Sequence, residues 1–189
     1  MKNTKRLAAL LAIISLLFTS ASAAGVIREE DFEVVPDYSQ MDAEAAVRIY
    51  LSREMKLNPA AVCGILANIE YESTFIPGIW GDEGTSYGLC QWHESRCRSL
   101  FSFCRDNGYA PDSVIGQMLY LEQELTESYP ELLKYLRTVE NSAVGAYNAA
   151  WCWCFYYEIP AQWEEQAIMR GELALQKYLS TINTRNTGH

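Results

Sequence analysis

Apolar positions recur at a helical period through most of the chain. Val47, Tyr50, Leu51 and Met55 follow Ser39-x-x-Asp42, a spacing that resembles a capping signal, and predict a first helix. Asn58-Pro59 sets a capping side chain before a proline at the first helical position, and Val62, Ile65, Leu66 and Ile69 form the next stripe, ending near Ser73. Between residues 74 and 90 the period is lost. Pro77, Gly78, Gly81, Gly84 and Gly88 predict a long loop, with room for a short hairpin, and long ordered loops are usually functional. Cys97, Leu100, Phe101 and Cys104 then share a face up to Asn107-Gly108, and Ile115, Met118, Leu119, Glu122 and Leu125 repeat the pattern after Asp112. Leu132, Leu133 and Leu136 mark a short segment. Val144, Tyr147, Trp151 and Phe155 predict a central helix, and Ile168, Gly171, Leu175, Tyr178, Leu179 and Ile182 predict the last. The fold class is mainly α, one helical domain interrupted by a glycine-rich loop or short β-hairpin.

The ends read differently. Lys2, Lys5 and Arg6 precede an apolar run from Leu7 to Phe18 and the small residues Ser20 to Ala24, the pattern of a secretory signal peptide over residues 1–23. The run is shorter than the ~20 residues that span a bilayer, which favours cleavage over anchoring. Residues 24–38 carry Pro36 without a period and read as a flexible leader, residues 39–183 as the domain, and 184–189 as a tail.

With 189 residues, 49% apolar and 21% charged, the chain has the composition of a globular protein rather than a disordered polymer. Loss of Lys2, Lys5 and Arg6 leaves twelve basic residues against 24 acidic ones, a mature charge of −12. Phosphate backbones and anionic lipid surfaces attract clustered Lys and Arg, so neither nucleic acid nor a membrane is the expected partner. There is no internal repeat and no G-x-G-x-x-G phosphate loop.

Six cysteines in an exported chain predict disulfides, up to three, among Cys63, Cys90, Cys97, Cys104, Cys152 and Cys154. Cys152-x-Cys154 is too close for a zinc knuckle, and Cys97 and Cys104 stand at helical spacing, so no metal site is expected.

Glu72 lies seven residues after Ile65, which at about 100° per residue puts it about 20° from Ile65, at the edge of the buried stripe. A carboxyl there is partly desolvated, which favours its protonated form and suits a general acid. Periodicity equally describes a hydrogen-bonded glutamate at a helix end, with Glu70 on the opposite edge.

The surroundings of Glu72 carry a resemblance. Asn68-Ile-Glu-Tyr-Glu72-Ser73-x-Phe75-x-Pro77 is followed by Gly81-Asp82-x-Gly84-Thr85-Ser86-Tyr87-Gly88-Leu89-x-Gln91-Trp92-His93-x-x-Arg96-x-x-x-Leu100, and later by Tyr157-Glu158-x-Pro160. This resembles the phage tail lysozyme family. Glu-Ser followed by Gly-Leu-x-Gln is also the pattern of the wider lysozyme-like superfamily, including soluble lytic transglycosylases. Their third motif is similar to Ala146-Tyr147-Asn148-Ala149, with Ala150 in place of the usual closing glycine.

The resemblance implies a lysozyme-like helical fold in which Glu72 protonates the β-1,4 glycosidic oxygen between N-acetylmuramic acid and N-acetylglucosamine in peptidoglycan. A two-carboxylate mechanism needs a partner across the bond, ~5 Å away for retention or ~6.5–9.5 Å for inversion. Asp82 matches the family pattern and is the expected partner, although an acid in a glycine-rich loop also suits a turn. Where a single glutamate acts, the substrate's N-acetyl group stabilises the anomeric cation, and the outcome is hydrolysis or a 1,6-anhydro product. Ser73, Ser86, Tyr87, Gln91, Tyr147 and Asn148 are the expected substrate contacts. Trp80, Trp92 and Tyr147 offer aromatic faces, residues that at helical spacing also build cores. His93 reads as structural, and Arg96 as a partner for Asp82 or Glu94. No cofactor is implied. The expected enzyme is a secreted monomer, at or near the cell wall, whose partner is the glycan strand.

Two rivals differ in class. A cysteine-dependent wall peptidase would need a free thiol beside His93. A non-catalytic glycan-binding module on the same fold would be marked by loss of the acid, whereas Glu72, Ser73, Gly88 and Gln91 are all present.

Overall fold

The computed structural model of the chain describes residues 36–187, and the expected signal peptide and most of the leader lie outside them. The compact unit begins at Asp37. It opens with a 3₁₀ turn, Tyr38–Gln40, capped by Asp37, so Ser39 does not cap the first helix. Asp42 does, accepting a hydrogen bond from the Ala45 amide ahead of α1 (Ala43–Arg53). α2 (Pro59–Ser73) starts as the sequence predicts, with Asn58 as cap and Pro59 at the first position.

Three two-residue strands follow, β1 (Trp80–Gly81), β2 (Ser86–Tyr87) and β3 (Trp92–His93), in one antiparallel sheet ordered β1-β2-β3. Register pairs Gly81 with Ser86 and Ser86 with His93 on one face, and Trp80 with Tyr87 and Tyr87 with Trp92 on the other. The remaining helices are α3 (Ser95–Asn107), α4 (Val114–Ser128), α5 (Pro130–Thr138), α6 (Ala143–Trp153) and α7 (Trp163–Thr187). Between α6 and α7 the chain widens into a π-turn at Cys154–Glu158. The mainly α expectation, with a small hairpin sheet in the loop, is met.

α2, α6 and α7 pack face to face through small side chains. Ala60 and Ala67 on α2, Ala146 and Ala150 on α6, and Ala174 on α7 are all fully buried. A Cβ on Gly64 would stand 2.6 Å from Ala149 Cβ and 2.7 Å from the Ala150 nitrogen, so only glycine allows this approach. The close packing leaves some large apolar residues of α7 outside. Ala167, Arg170, Gly171, Ala174 and Tyr178 face inward, while Ile168 and Leu179 are exposed. α7 also continues to Thr187, through the start of the expected tail.

The main core joins α1, α2, α4 and the loop side of the molecule around Leu51, Ile65, Leu89, Trp92, Met118 and Leu121, all buried. Gln117 of α4 fixes the loop from within. Its Nε2 donates to the Pro77 carbonyl at 2.6 Å and the Pro111 carbonyl at 2.7 Å, and its Oε1 accepts from the Leu89 amide at 2.8 Å. A Cβ on Gly88, whose φ is +81°, would collide with that amide group.

In the structure all six cysteines are free thiols, and the expected disulfides are not shown. Cys63 lies toward Arg48, Thr181 and Lys177, Cys152 toward Tyr135, Cys154 toward the Trp163 carbonyl, and Cys104 against Gly116, with Cys97 and Cys104 both near Tyr87. No helix among the described residues is long and apolar enough to cross a membrane.

Candidate active site

Glu72 sits one residue before the end of α2, where Thr74 and Phe75 (φ 49° and 59°) turn the chain toward the sheet. Its side chain is 19% exposed, in keeping with a place at the stripe's edge. Arg170 of α7, 4% exposed, places Nη1 2.6 Å from Glu72 Oε1. The same Nη1 donates to Asn68 Oδ1 at 3.1 Å, and Nη2 donates to Gln166 Oε1 at 2.7 Å. Asn68 is itself held on the Gly64 and Ala150 carbonyls, so the α2–α6 contact aims the guanidinium at Glu72.

The π-turn contributes a second carboxyl. Trp153 Nε1 donates to Glu158 Oε1 at 2.8 Å, and Ile159 (φ 50°) ends the turn in the left-handed region. Burial, with the nearby charge of Glu72 adding to it, raises Glu158 to about 8, against the opposing pull of the Trp153 hydrogen bond, Arg170 and Arg96. π-turns of this kind occur often at functional sites.

The sheet contributes a third. Asp82 lies in a 3₁₀ turn with φ 46°, next to Glu83 at 55°. Ser86 Oγ donates to Asp82 Oδ2 at 2.5 Å, and Thr85 Oγ1 donates to the Asp82 carbonyl at 2.7 Å. His93 Nδ1 lies 3.1 Å from Ser86 Oγ and 3.3 Å from Thr85 Oγ1. Gln91, also left-handed at φ 44°, donates from Nε2 to the Gly88 carbonyl at 2.9 Å. Its Oε1 occupies the space beside Gly81, where a Cβ would come within 2.1 Å. Strained backbone at Asp82 and Gln91 thus lines one cleft, with left-handed Glu83 and Ile159 next in the chain to residues that line it, the usual location of such strain.

That cleft, of about 420 Å³, is lined by Glu72, Asp82, Ser86, Gln91, His93, Arg96, Glu158, Pro160, Ala161, Gln166 and Arg170. A larger hollow of about 540 Å³, among Tyr129, Pro130, Leu132, Tyr135, Cys152 and Tyr156, is apolar and has the single acid Glu131. The smaller cleft is the candidate site because its carboxyls, cations and amides converge, and acid–base chemistry on a glycan needs that convergence rather than volume.

The sequence of α2 and the sheet thus leads, in space, to a three-acid cleft with two arginines. The family model for phage tail lysozymes matches residues 42–180. The chain belongs to the phage tail lysozyme family. No match is found among curated proteins. Membership gives the chain a lysozyme-like function directed at peptidoglycan, of glycosidase type.

Of the site residues expected from this family, Glu72, Asp82, Ser86 and Gln91 come together in the cleft. Ser73 does not: it is buried, and its hydroxyl donates to the Ile69 carbonyl within α2. Tyr87 points to the opposite face of the sheet, packed on Trp80 and Phe101 at 4.7 Å and 4.9 Å. Tyr147 lays its ring over Gly171, and Asn148 is exposed; neither lines the cleft. Trp92 is core, whereas Trp80 is 53% exposed.

Arg96 pairs with neither Asp82 nor Glu94 but with Glu124, through Nε at 2.8 Å and Nη2 at 3.0 Å. Tyr157 Oη and Trp92 Nε1 also donate to Glu124, at 2.6 Å and 3.0 Å, which ties β3, α3, α4 and the π-turn beneath the site. Sequence reasoning missed Glu158 and Arg170. Tyr157-Glu158-x-Pro160 was a visible signal for the first, but an arginine within a mixed helix offered none for the second.

No cysteine lines the cleft, and burial raises the pKa of all six thiols, which disfavours the nucleophilic thiolate. The geometry therefore gives no support to a cysteine peptidase.

Proposed function

We propose that the protein is a secreted enzyme that cleaves the β-1,4 bond between N-acetylmuramic acid and N-acetylglucosamine in peptidoglycan, with Glu72 as general acid. The observation that carries the reading is the meeting of Glu72, Glu158 and Asp82 in one cleft with Arg170 on Glu72. Burial and the nearby charge of Glu72 raise Glu158 to about 8, so at neutral pH Glu158 holds a proton in the cleft, while Arg170 is paired with Glu72. In this reading Glu72 gives a proton to the glycosidic oxygen as the C–O bond breaks, and Glu158, protonated at neutral pH in the same cleft, is a second proton source. Asp82, across the cleft, stabilises the positive anomeric carbon or activates the water that adds to it. Ser86 holds Asp82, and Gln91 presents an amide to the sugar's polar groups.

Digestion of purified peptidoglycan by the mature protein, followed by mass spectrometry of the soluble products, tests this. Reducing N-acetylmuramic ends identify a hydrolase, and 1,6-anhydro ends identify a transglycosylase acting with the substrate's own N-acetyl group. Glu72→Gln abolishes either product, while Glu158→Gln slows release and alters its pH dependence. Absence of glycan cleavage across several wall types would leave a binding module.

A further inference from the structure

The hydroxyl protons around Asp82 can be assigned from their partners. Ser86 Oγ donates its single proton to Asp82 Oδ2, and Thr85 Oγ1 donates its own to the Asp82 carbonyl. Both oxygens then face His93 Nδ1 with lone pairs, at 3.1 Å and 3.3 Å, so Nδ1 must carry hydrogen in either the neutral or the charged ring. The chain runs in one direction: His93 Nδ1–H to Ser86 Oγ–H to Asp82 Oδ2. His93 Nδ1 itself stops 3.9 Å from that carboxyl, and Nε2 lies 3.8 Å from Glu94 Oε1.

Asp82 depends on such support. Its side chain is 70% exposed and its backbone is left-handed, so nothing else in the sheet confines the carboxyl. His93 stands on the adjacent strand, in register with Ser86, and the imidazole is half exposed at the cleft rather than packed in the core. That position is unsuited to a purely structural histidine.

We infer that His93 is a positioning residue for the glycan-cleaving reaction, orienting Asp82 through Ser86 so that one carboxyl oxygen is fixed and the other is presented to the cleft. The inference rests on the proposed role of Asp82. A donor held on Ser86 Oγ commits the hydroxyl proton to Asp82 and strengthens that bond, since linked hydrogen bonds polarise one another. Loss of the donor frees Ser86 to rotate and lets an exposed carboxylate sample other rotamers.

The test compares three single variants and one double variant on soluble peptidoglycan glycan strands. Asparagine places Nδ2 where histidine has Nδ1, whereas glutamine places its amide near Nε2. His93→Gln is expected to lower kcat by about tenfold or more, the effect of losing a hydrogen bond that orders a reacting group, with KM and melting temperature nearly unchanged. His93→Asn is expected to restore kcat to within a few-fold of the parent. Asp82→Asn is expected to be at least as impaired as His93→Gln, with no further loss in the double variant. Wild-type kcat in His93→Gln, or equal impairment of His93→Asn and His93→Gln, alongside an inactive Asp82→Asn, would overturn the positioning role and leave the role of Asp82 intact. A fully active Asp82→Asn would remove both.

Discussion

Arg170 and Glu72 form a 2.6 Å ion pair that joins the last turn of α2 to α7, and a second carboxyl, Glu158, lines the same cleft. The arrangement sets two carboxyls against one buried guanidinium. It also ties the chemistry of the site to the packing of α2, α6 and α7, because Asn68 positions Arg170 from the contact between them.

Arg170→Met keeps much of the side-chain volume and removes the charge. Breaking a largely buried pair leaves Glu72 uncompensated, at a cost of about 3 kcal/mol or more. Arg170 opposes the rise of Glu158, so without the cation that carboxyl holds its proton more firmly and the alkaline limb of the pH–rate profile moves to higher pH. Urea unfolding and a pH–rate series measure the two effects separately.

Glu158 gives stability a definite pH sign. Its carboxyl is raised from 4.5 to about 8 on folding, so the native state binds more protons than the unfolded chain between those values. Stability from this group is fully present below pH 4.5 and is lost as pH rises toward and through 8. Glu158→Gln removes that decline, and melting temperatures from pH 5 to 9 should be flatter in the variant than in the parent.

Glu124 behaves oppositely. Burial opposes its ionisation, but the hydrogen bonds and charge of Arg96, with donors from Tyr157 and Trp92, outweigh that and hold it below the ordinary glutamate value. Its contribution is present above the unfolded glutamate pKa and is lost as pH falls through the lowered folded value. Glu124→Gln substitutes a partial donor facing three donors and strands Arg96, so a loss of about 3–5 kcal/mol is expected by chemical denaturation. The acid limb of its stability curve should be shallower than the parent's.

The thiols give a direct chemical count. All but Cys152 are buried, so native protein treated with iodoacetamide should acquire one adduct, at Cys152, within the time in which denatured protein acquires six. A reductant should leave the melting temperature unchanged. A chain with three disulfides would give no adducts in either state.

The helices were legible because their signals are local. Asn58-Pro59 caps α2 and Gly108 ends α3, since one side chain or one φ angle suffices for each. The inward face of α7 was legible only in part. Its orientation is set by alanines and glycines on α2 and α6, so of the residues that periodicity picked out Gly171 and Tyr178 face inward while Ile168 and Leu179 remain exposed. Tyr147 illustrates the same effect, since its ring is taken up by the flat surface at Gly171.

The site divides along the same line. Sequence by itself determined a helical domain, the glycine-rich loop, the family, and Glu72 at a half-buried helix edge, because each depends on residues close together in the chain. Tertiary structure alone decided that Glu158 and Arg170 meet Glu72, that Arg96 turns to Glu124, and that Ser73 and Tyr87 face away. Those pairings join residues up to 98 positions apart, as between Glu72 and Arg170, and they exist only once helix packing has fixed which atoms face one another. A carboxyl's charge and pKa are properties of that neighbourhood, not of its place in the sequence.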